Sequence, residues 1–209
     1  MKNRPDPKKV ITDFIVSLLS FAAIVYILFN IYTLYSVWQA SRSLNQIPQQ
    51  EFIRLMVYGS SSSPDGNTIS ASFSIVDTNG NEIAKIERSW TGNYLAVEFA
   101  QVEFDGKAFL FPTSIYGKER IMQTNPAWKK KTSLEKFYDD NRQCLLLGFG
   151  STFDERHELY QIARFATRKI PVLSFGRVSE YSMDLSSCKI NRFYSIQRTT
   201  DGNLIVVEL

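Results

Sequence analysis

Phe14-Ile-Val-Ser-Leu-Leu-Ser-Phe-Ala-Ala-Ile-Val-Tyr-Ile-Leu-Phe29 lies within a longer run, Phe14 to Ser41, that contains no charged side chain. A helix crossing a bilayer needs about 20 mostly apolar residues. This stretch continues through Ile31 to Trp38 and has length to spare. A cleavable signal has a shorter apolar core, about 7–15 residues, closed by a small-x-small site. Here the exit carries Tyr32, Tyr35 and Trp38, the composition of an interfacial aromatic belt. The reading is an uncleaved anchor: 1–9 a cytoplasmic tail, 10–38 a transmembrane helix, 39–51 a linker, and 52–209 an extracytoplasmic domain. The linker is polar and Gln/Ser-rich with Pro48, and leaves room for the helix to continue a turn or two.

The flanks set the orientation. Lys2, Arg4, Lys8 and Lys9 precede the span, whereas only Arg42 and Arg54 follow within reach. Excess Lys and Arg stay on the cytoplasmic side, so the chain is expected to cross the inner (plasma) membrane once, with its N-terminus inside. The formal charge of +3 is local to that tail, and beyond residue 13 basic and acidic residues nearly balance, 20 against 19. A nucleic-acid binder concentrates positive charge on its folded part, so nucleic acid is not an expected partner. The eleven Asn include no Asn-x-Ser/Thr acceptor, which favours a bacterial envelope over a eukaryotic secretory lumen.

Read every 3.5 residues, the span presents Asp13, Val16, Ser20, Ala23, Ile27, Asn30, Leu34 and Val37 on one stripe, with Ser17 beside it. In lipid, helices associate through small residues and interhelical hydrogen bonds. Ser20, Ala23 and Asn30 are therefore candidate packing positions toward a partner span or a second copy. Asn30 sits about 9 Å from the middle of the span at the helical rise. The other reading has Asn30 reaching interfacial water, and Ser17 and Ser20 bonding their own backbone carbonyls.

The segment beyond the linker reads first as β structure. Ile69, Ala71, Phe73 and Ile75 alternate with serines, and Leu95, Val97 and Phe99 alternate with Ala96, Glu98 and Ala100. That period of two marks half-buried strands. Strands are expected over Phe52–Tyr58, Ile69–Asp77, Glu82–Trp90, Tyr94–Phe104 and Lys107–Pro112. Asn79-Gly80, Gly92-Asn93 and Asp105-Gly106 supply the turns, because Gly and Asn tolerate positive φ. Gly59 to Asn67, rich in Ser, is expected to be a loop. In the second half, Thr132-Ser-Leu-Glu135 has the spacing of a capping box opening a short helix to about Asn141. Cys144 to Leu147 reads as a buried strand, and Thr152-x-x-Glu155 opens a helix to about Lys169, stopped by Pro171. Val172–Phe175, Tyr181–Leu185, Ile190–Gln197 and Leu204–Leu209 complete the strands. The expected class is α+β: one N-terminal transmembrane helix, then a β-rich, mainly antiparallel domain with one or two helices.

Chemistry-bearing groups are sparse. One His and two Cys exclude the common four-ligand zinc sites, and no calcium-loop spacing occurs, so no metal and no cofactor are expected. Gly148-Phe-Gly150-Ser151-Thr152, between a strand and a helix, is a candidate anion or ligand turn. It lacks the dinucleotide fingerprint, having Phe153 where Gly is needed, and Asp154 and Glu155 would repel an anion. His157 points away from the Leu159/Ile162/Ala163/Ala166 face, toward solvent, where no triad forms. Ser133-x-x-Lys136 and Ser186-x-x-Lys189 match a four-letter pattern without its companion motifs. Cys144 and Cys188 either pair, in an oxidising compartment, or remain as buried small hydrophobes. Lys129, Lys130 and Lys131 form a candidate contact for anionic headgroups or a cell-wall polymer. The expected role is a non-enzymatic envelope protein whose domain binds a protein or cell-wall partner, as a component or assembly factor of a membrane complex. The alternative is a membrane-tethered hydrolase or transferase acting near the Gly148–Thr152 turn.

Overall fold

In the computed structural model, residues 7–44, 51–64, 66–119, 131–169, 172–174 and 176–209 are described. A single helix, α1 (Pro7–Ser43), opens the chain. Pro7 suits a first helical position, where its fixed φ helps and its missing N–H would have no partner. The helix does not stop where the polar linker begins. It runs on to Ser43, and Ala40, Ser41 and Leu44 are buried.

Two antiparallel sheets follow. One has the order β11 (Leu204–Glu208), β10 (Phe193–Arg198), β1 (Glu51–Ser63), β2 (Gly66–Val76), β3 (Glu82–Thr91). The other has the order β6 (Thr132–Ser133), β5 (Lys107–Lys118), β4 (Tyr94–Phe104), β9 (Val178–Asp184). A two-residue pair, β7 (Asp139–Asp140) with β8 (Gln143–Cys144), stands apart. Helix α2 (Phe153–Ala166) packs against α1, β8, β4 and β5. The fold is α+β, with the N-terminal apolar helix and one further helix on a mostly antiparallel β domain. Alternation decides which faces meet: Phe52 of β1 meets Phe99 of β4 edge-on at 5.8 Å, and Phe73 meets Trp90 at 5.5 Å. Phe165 of α2 closes on Phe104 at 5.7 Å. Aromatic pairs in these tilted and edge-on geometries gain about 0.5–1.5 kcal/mol beyond burial.

The turns follow their chemistry. Asp105 and Gly106 both take positive φ (50° and 75°), the pair of left-handed residues that a two-residue hairpin needs. The Asp77 carboxylate accepts the Asn79 and Asn81 amides at 2.8 Å, which folds the β2–β3 connection over its own side chain.

Several expectations are corrected. The Ser-rich stretch is a continuation of the first hairpin, paired from Gly59 opposite Ser70 to Ser63 opposite Gly66. A ladder satisfies backbone groups whatever the side chains, so serine-rich composition did not exclude pairing. Thr132–Asn141 is not a helix: β6 leads into a 3₁₀ turn over Glu135–Phe137. The Thr132 hydroxyl accepts the Trp90 indole N–H at 3.0 Å rather than capping a helix. Leu134 and Tyr138 are buried, and the Tyr138 hydroxyl donates to the Pro112 carbonyl at 2.9 Å. Of Cys144–Leu147 only Cys144 is in a strand; Leu145–Leu147 make a 3₁₀ turn whose Leu146 and Leu147 carbonyls accept from Thr78. Residues 172–174 form no strand, and Phe175 lies outside the described residues. Helix α2 ends at Ala166 rather than Lys169, with Arg168 in the left-handed region at φ 54°.

Candidate functional site

Exposure along α1 divides it in two. From Ile11 to Phe29 every residue is exposed around the whole circumference. These 19 residues rise about 28 Å, close to the roughly 30 Å of a bilayer's hydrocarbon. By length and composition the helix can cross a membrane. From Asn30 onward the pattern changes: Asn30, Thr33, Val37, Ala40 and Leu44 are buried at alternating spacings of three and four. That is the stripe by which one helix packs on another, and here the partner is the chain's own domain.

Polar contacts fix this junction at three levels. At its start, the Asn30 amide donates to the Tyr26 carbonyl at 2.7 Å, and its oxygen accepts the Leu173 backbone N–H at 2.8 Å. One turn and a half further on, the Ser36 hydroxyl donates to Gln161 of α2 at 2.6 Å. Asn30 thus meets a residue beyond the end of α2, and Ser36 meets α2 itself. At the far end, the Lys107 ammonium donates to the carbonyls of Ser41 at 2.9 Å and Leu44 at 2.7 Å. A cation placed there satisfies carbonyls that a helix end leaves without partners and complements the negative end of the dipole. Asp105 on the adjoining hairpin turn accepts from the Trp38 indole at 2.9 Å and from Arg42 at 3.1 Å, while the Arg42 guanidinium lies 4.1 Å over the Trp38 ring. The Arg42–Asp105 pair is largely solvated and adds little stability. A hollow of about 50 Å³ lies among Leu44, Phe52, Leu110, Leu147 and Leu159. It is far below the roughly 300 Å³ of a ligand pocket.

The residues singled out from the sequence fall as follows. Asn30 is spent on the chain's own loop. The Ser20 hydroxyl donates to the Val16 carbonyl at 2.8 Å, the self-bonded arrangement weighed above, and Ala23 is exposed beside it. Cys144 is buried and Cys188 half-buried, both as free thiols; burial pushes Cys144 up to about 12 and Cys188 to about 11. The Gly148–Thr152 turn is closed by its own bonds. Ser151 donates to the Gly148 carbonyl at 2.6 Å, and Thr152 caps α2 in a reciprocal capping box with Glu155. Gly148, at φ +79°, has Asp77 and Asn79 where a side chain would stand, and Gly150 faces open space. Lys131 pairs with Glu98 at 2.6 Å and lies 5.3 Å over the Tyr116 ring; Lys129 and Lys130 lie outside the described residues. His157 Nδ1 meets the Arg142 carbonyl at 2.9 Å, its ring stacked on Phe153.

Two open hollows of about 350 and 400 Å³ flank β9, sharing Tyr181 and Ser182. Three carboxylates line the first: Glu98 and Glu135 are bonded to Lys131 and Lys169 respectively at 2.6 Å, and Glu180 meets Arg168 at 3.8 Å. Among the described residues no group of three or more His, Cys, Asp or Glu is placed to hold a metal ion. No protein family, no curated protein and no solved structure matches the chain. The sequence reading missed Lys107, Asp105 and Leu173. The signal for the junction was present in Asn30, Thr33, Val37, Ala40 and Leu44, whose spacing persists into the polar stretch.

Proposed function

We propose that this is a single-pass, membrane-anchored envelope protein without catalytic activity, whose extracytoplasmic domain binds a protein or cell-wall partner. In this reading it is a component or assembly factor of a membrane complex, with its basic N-terminal tail in the cytoplasm. The observation that carries the reading is the division of α1 into a lipid-length exposed half and a half docked on the domain. An apolar helix exposed all round has no stable place in water. Exposed apolar side chains elsewhere support a partner protein: Phe149 and Phe153 before and at the start of α2, and Phe193, Ile205 and Leu209 around the open edge of β11. The hydrolase reading draws on Ser151, whose hydroxyl is engaged within its own turn, and this favours a structural role for it.

The test is recovery of the intact protein from crosslinked cells in mild detergent. A reproducible envelope protein or wall fragment is expected, together with labelling of a Phe149→Cys variant by a membrane-impermeant maleimide from outside. Labelling only after permeabilisation would overturn the orientation. Turnover of ester or glycosidic substrates that is lost in Ser151→Ala would replace the binding reading with the enzymatic one. Ser20→Leu alone addresses lateral association, because Ser20 is exposed and its hydroxyl bonds the Val16 carbonyl within α1; unchanged crosslinks between copies or spans would remove that stripe from the account.

A further inference from the structure

The bond from the Leu173 N–H to Asn30 places one loop of the domain at the end of the exposed apolar segment. With Ile11–Phe29 filling the hydrocarbon, Asn30 stands at the boundary between acyl chains and headgroups, and Leu173 stands there with it. Leu173 is 54% exposed, an apolar side chain open to whatever surrounds that level of the helix. Charge is gathered on either side of it. From Arg164 to Glu180 the chain carries Arg164, Arg168, Lys169 and Arg177 against the single acid Glu180. Lys169 is taken by Glu135, whereas Arg168 is 61% exposed and meets Glu180 only at 3.8 Å. Arg177 is exposed, its guanidinium resting 5.0 Å over the Phe104 ring. An apolar tip between exposed arginines is the composition of a membrane-resting loop: the tip enters the acyl boundary while the guanidinium forks bond phosphate oxygens.

We propose that this loop rests on the bilayer as a second foot of the domain, with Leu173 in the interfacial layer and Arg168 and Arg177 bound to anionic phospholipid headgroups. The inference rests on the membrane-anchor reading and extends it. The headgroups are continuous with the lipid around α1, so the ligand is already at the site when the helix is inserted. Lys131, the described member of the basic run near residue 130, is paired with Glu98.

The test uses the full chain with Cys188→Ser, carrying a fluorophore at one of three introduced cysteines: Leu173→Cys, Ile24→Cys or Phe149→Cys. Each is reconstituted in phosphatidylcholine vesicles with and without phosphatidylglycerol, and read by quenching from nitroxide lipids and from aqueous iodide. The label at 173 is expected to be quenched by shallow nitroxides and shielded from iodide, and the label at 149 to behave oppositely. Adding phosphatidylglycerol should raise the ratio of inserted to water-exposed label at 173 by roughly fivefold per arginine, and Arg168→Gln with Arg177→Gln should remove that gain. A label at 173 as open to iodide as the one at 149, with the label at 24 quenched from the bilayer centre, overturns the second foot and leaves the anchor standing. Equal insertion in neutral and anionic vesicles overturns the headgroup assignment. A label at 24 that no nitroxide lipid quenches sinks the anchor itself, and this inference with it.

Discussion

Asn30→Leu separates the two things that α1 does. The substitution keeps the side chain's approximate size and improves its fit to hydrocarbon, so insertion is unaffected. What is lost is the acceptor of the Leu173 N–H, 2.8 Å from the Asn30 oxygen, and the amide's own bond to the Tyr26 carbonyl. The second loss is small, because it removes a side-chain donor from a carbonyl inside a continuing helix. The first leaves an amide without its partner at a site where Asn30 is only 5% exposed. Orphaning such a group costs about 1–3 kcal/mol, which is roughly a 5- to 150-fold shift toward the undocked loop. Hydrogen exchange of the Leu173 amide, in nanodiscs, should accelerate by that factor while amides in β4 and β5 keep their rates. Thr33→Val is the control: among the described residues the Thr33 hydroxyl bonds the Phe29 carbonyl within its own helix, so its removal should leave Leu173 unchanged. Equal protection of Leu173 in wild type and Asn30→Leu would refute the claim that this asparagine holds the domain to the helix.

Three further outcomes are expected. In Gly117→Ala the new Cβ overlaps the Thr91 carbonyl oxygen where β3 turns into β4, so thermal unfolding should fall by about 1–3 kcal/mol; Gly106→Ala, which meets no neighbour and carries only the strain of φ +75°, should cost less. At Asp184, burial opposes ionisation, but bonds from Lys118 and the Ser186 amide outweigh it and hold the carboxyl below its ordinary 3.8; Glu51 is likewise held below 4.5, against burial, by Arg54 and Ser195. A lowered acid contributes stability that is complete above its unfolded value and lost as pH falls through its folded one, so acid unfolding should set in below about pH 4, and Asp184→Asn with Glu51→Gln should flatten that limb. Finally, thiols held at about 12 and about 11 are unreactive near neutrality: maleimide at pH 7.5 should label Cys188 slowly and Cys144 only on unfolding, and denaturation in alkylating reagent without reductant should modify both. Prompt labelling of Cys144 in the folded protein would contradict its burial.

The hairpins were legible because alternation and turn chemistry act locally. Ile69 to Ile75 places its apolar side chains on one face whatever the rest of the chain does, and Asp105-Gly106 requires a turn by backbone sterics alone. Thr152 with Glu155 was legible for the same reason: a capping box is complete within four residues. Where a tertiary partner took a group first, the local signal misled. Thr132 has the same spacing to Glu135, yet the Trp90 indole claims its hydroxyl, and the segment turns through a single 3₁₀ turn with Leu134 and Tyr138 buried on either side. Leu145–Leu147 has the composition of a strand, but Thr78 takes the Leu146 and Leu147 carbonyls. The helix–domain junction sat between these cases. Its stripe was present, but a hydropathy reading assigns Asn30, Val37 and Leu44 to lipid or linker, and only a pattern followed across the boundary joins them.

The continuity of α1 has a mechanical consequence that a flexible stalk would not have. A Gln/Ser-rich linker decouples an anchor from its domain, because random-coil segments transmit neither tilt nor rotation. Here the helix passes unbroken from the exposed segment into contact with α2, and the Lys107 ammonium locks its last carbonyls to the β4–β5 hairpin. A rotation of the span by one residue, 100°, would carry Val37 and Ala40 out of the domain and bring Ser36 and Gln39, or in the other sense Leu34 and Trp38, toward it. The first exchange replaces buried apolar contacts by polar ones, and either one breaks the bond between Asn30 and Leu173. The azimuth of α1 is therefore fixed by the domain, and Ser20, Ala23 and Ile27 face a set direction relative to the Phe149 and β11 surfaces. A partner that engages both the lipid-facing helix and the domain is consequently selected by one rigid geometry, and a short insertion after Phe29, which turns the two halves against each other, should abolish its recovery while leaving folding and insertion of each half intact.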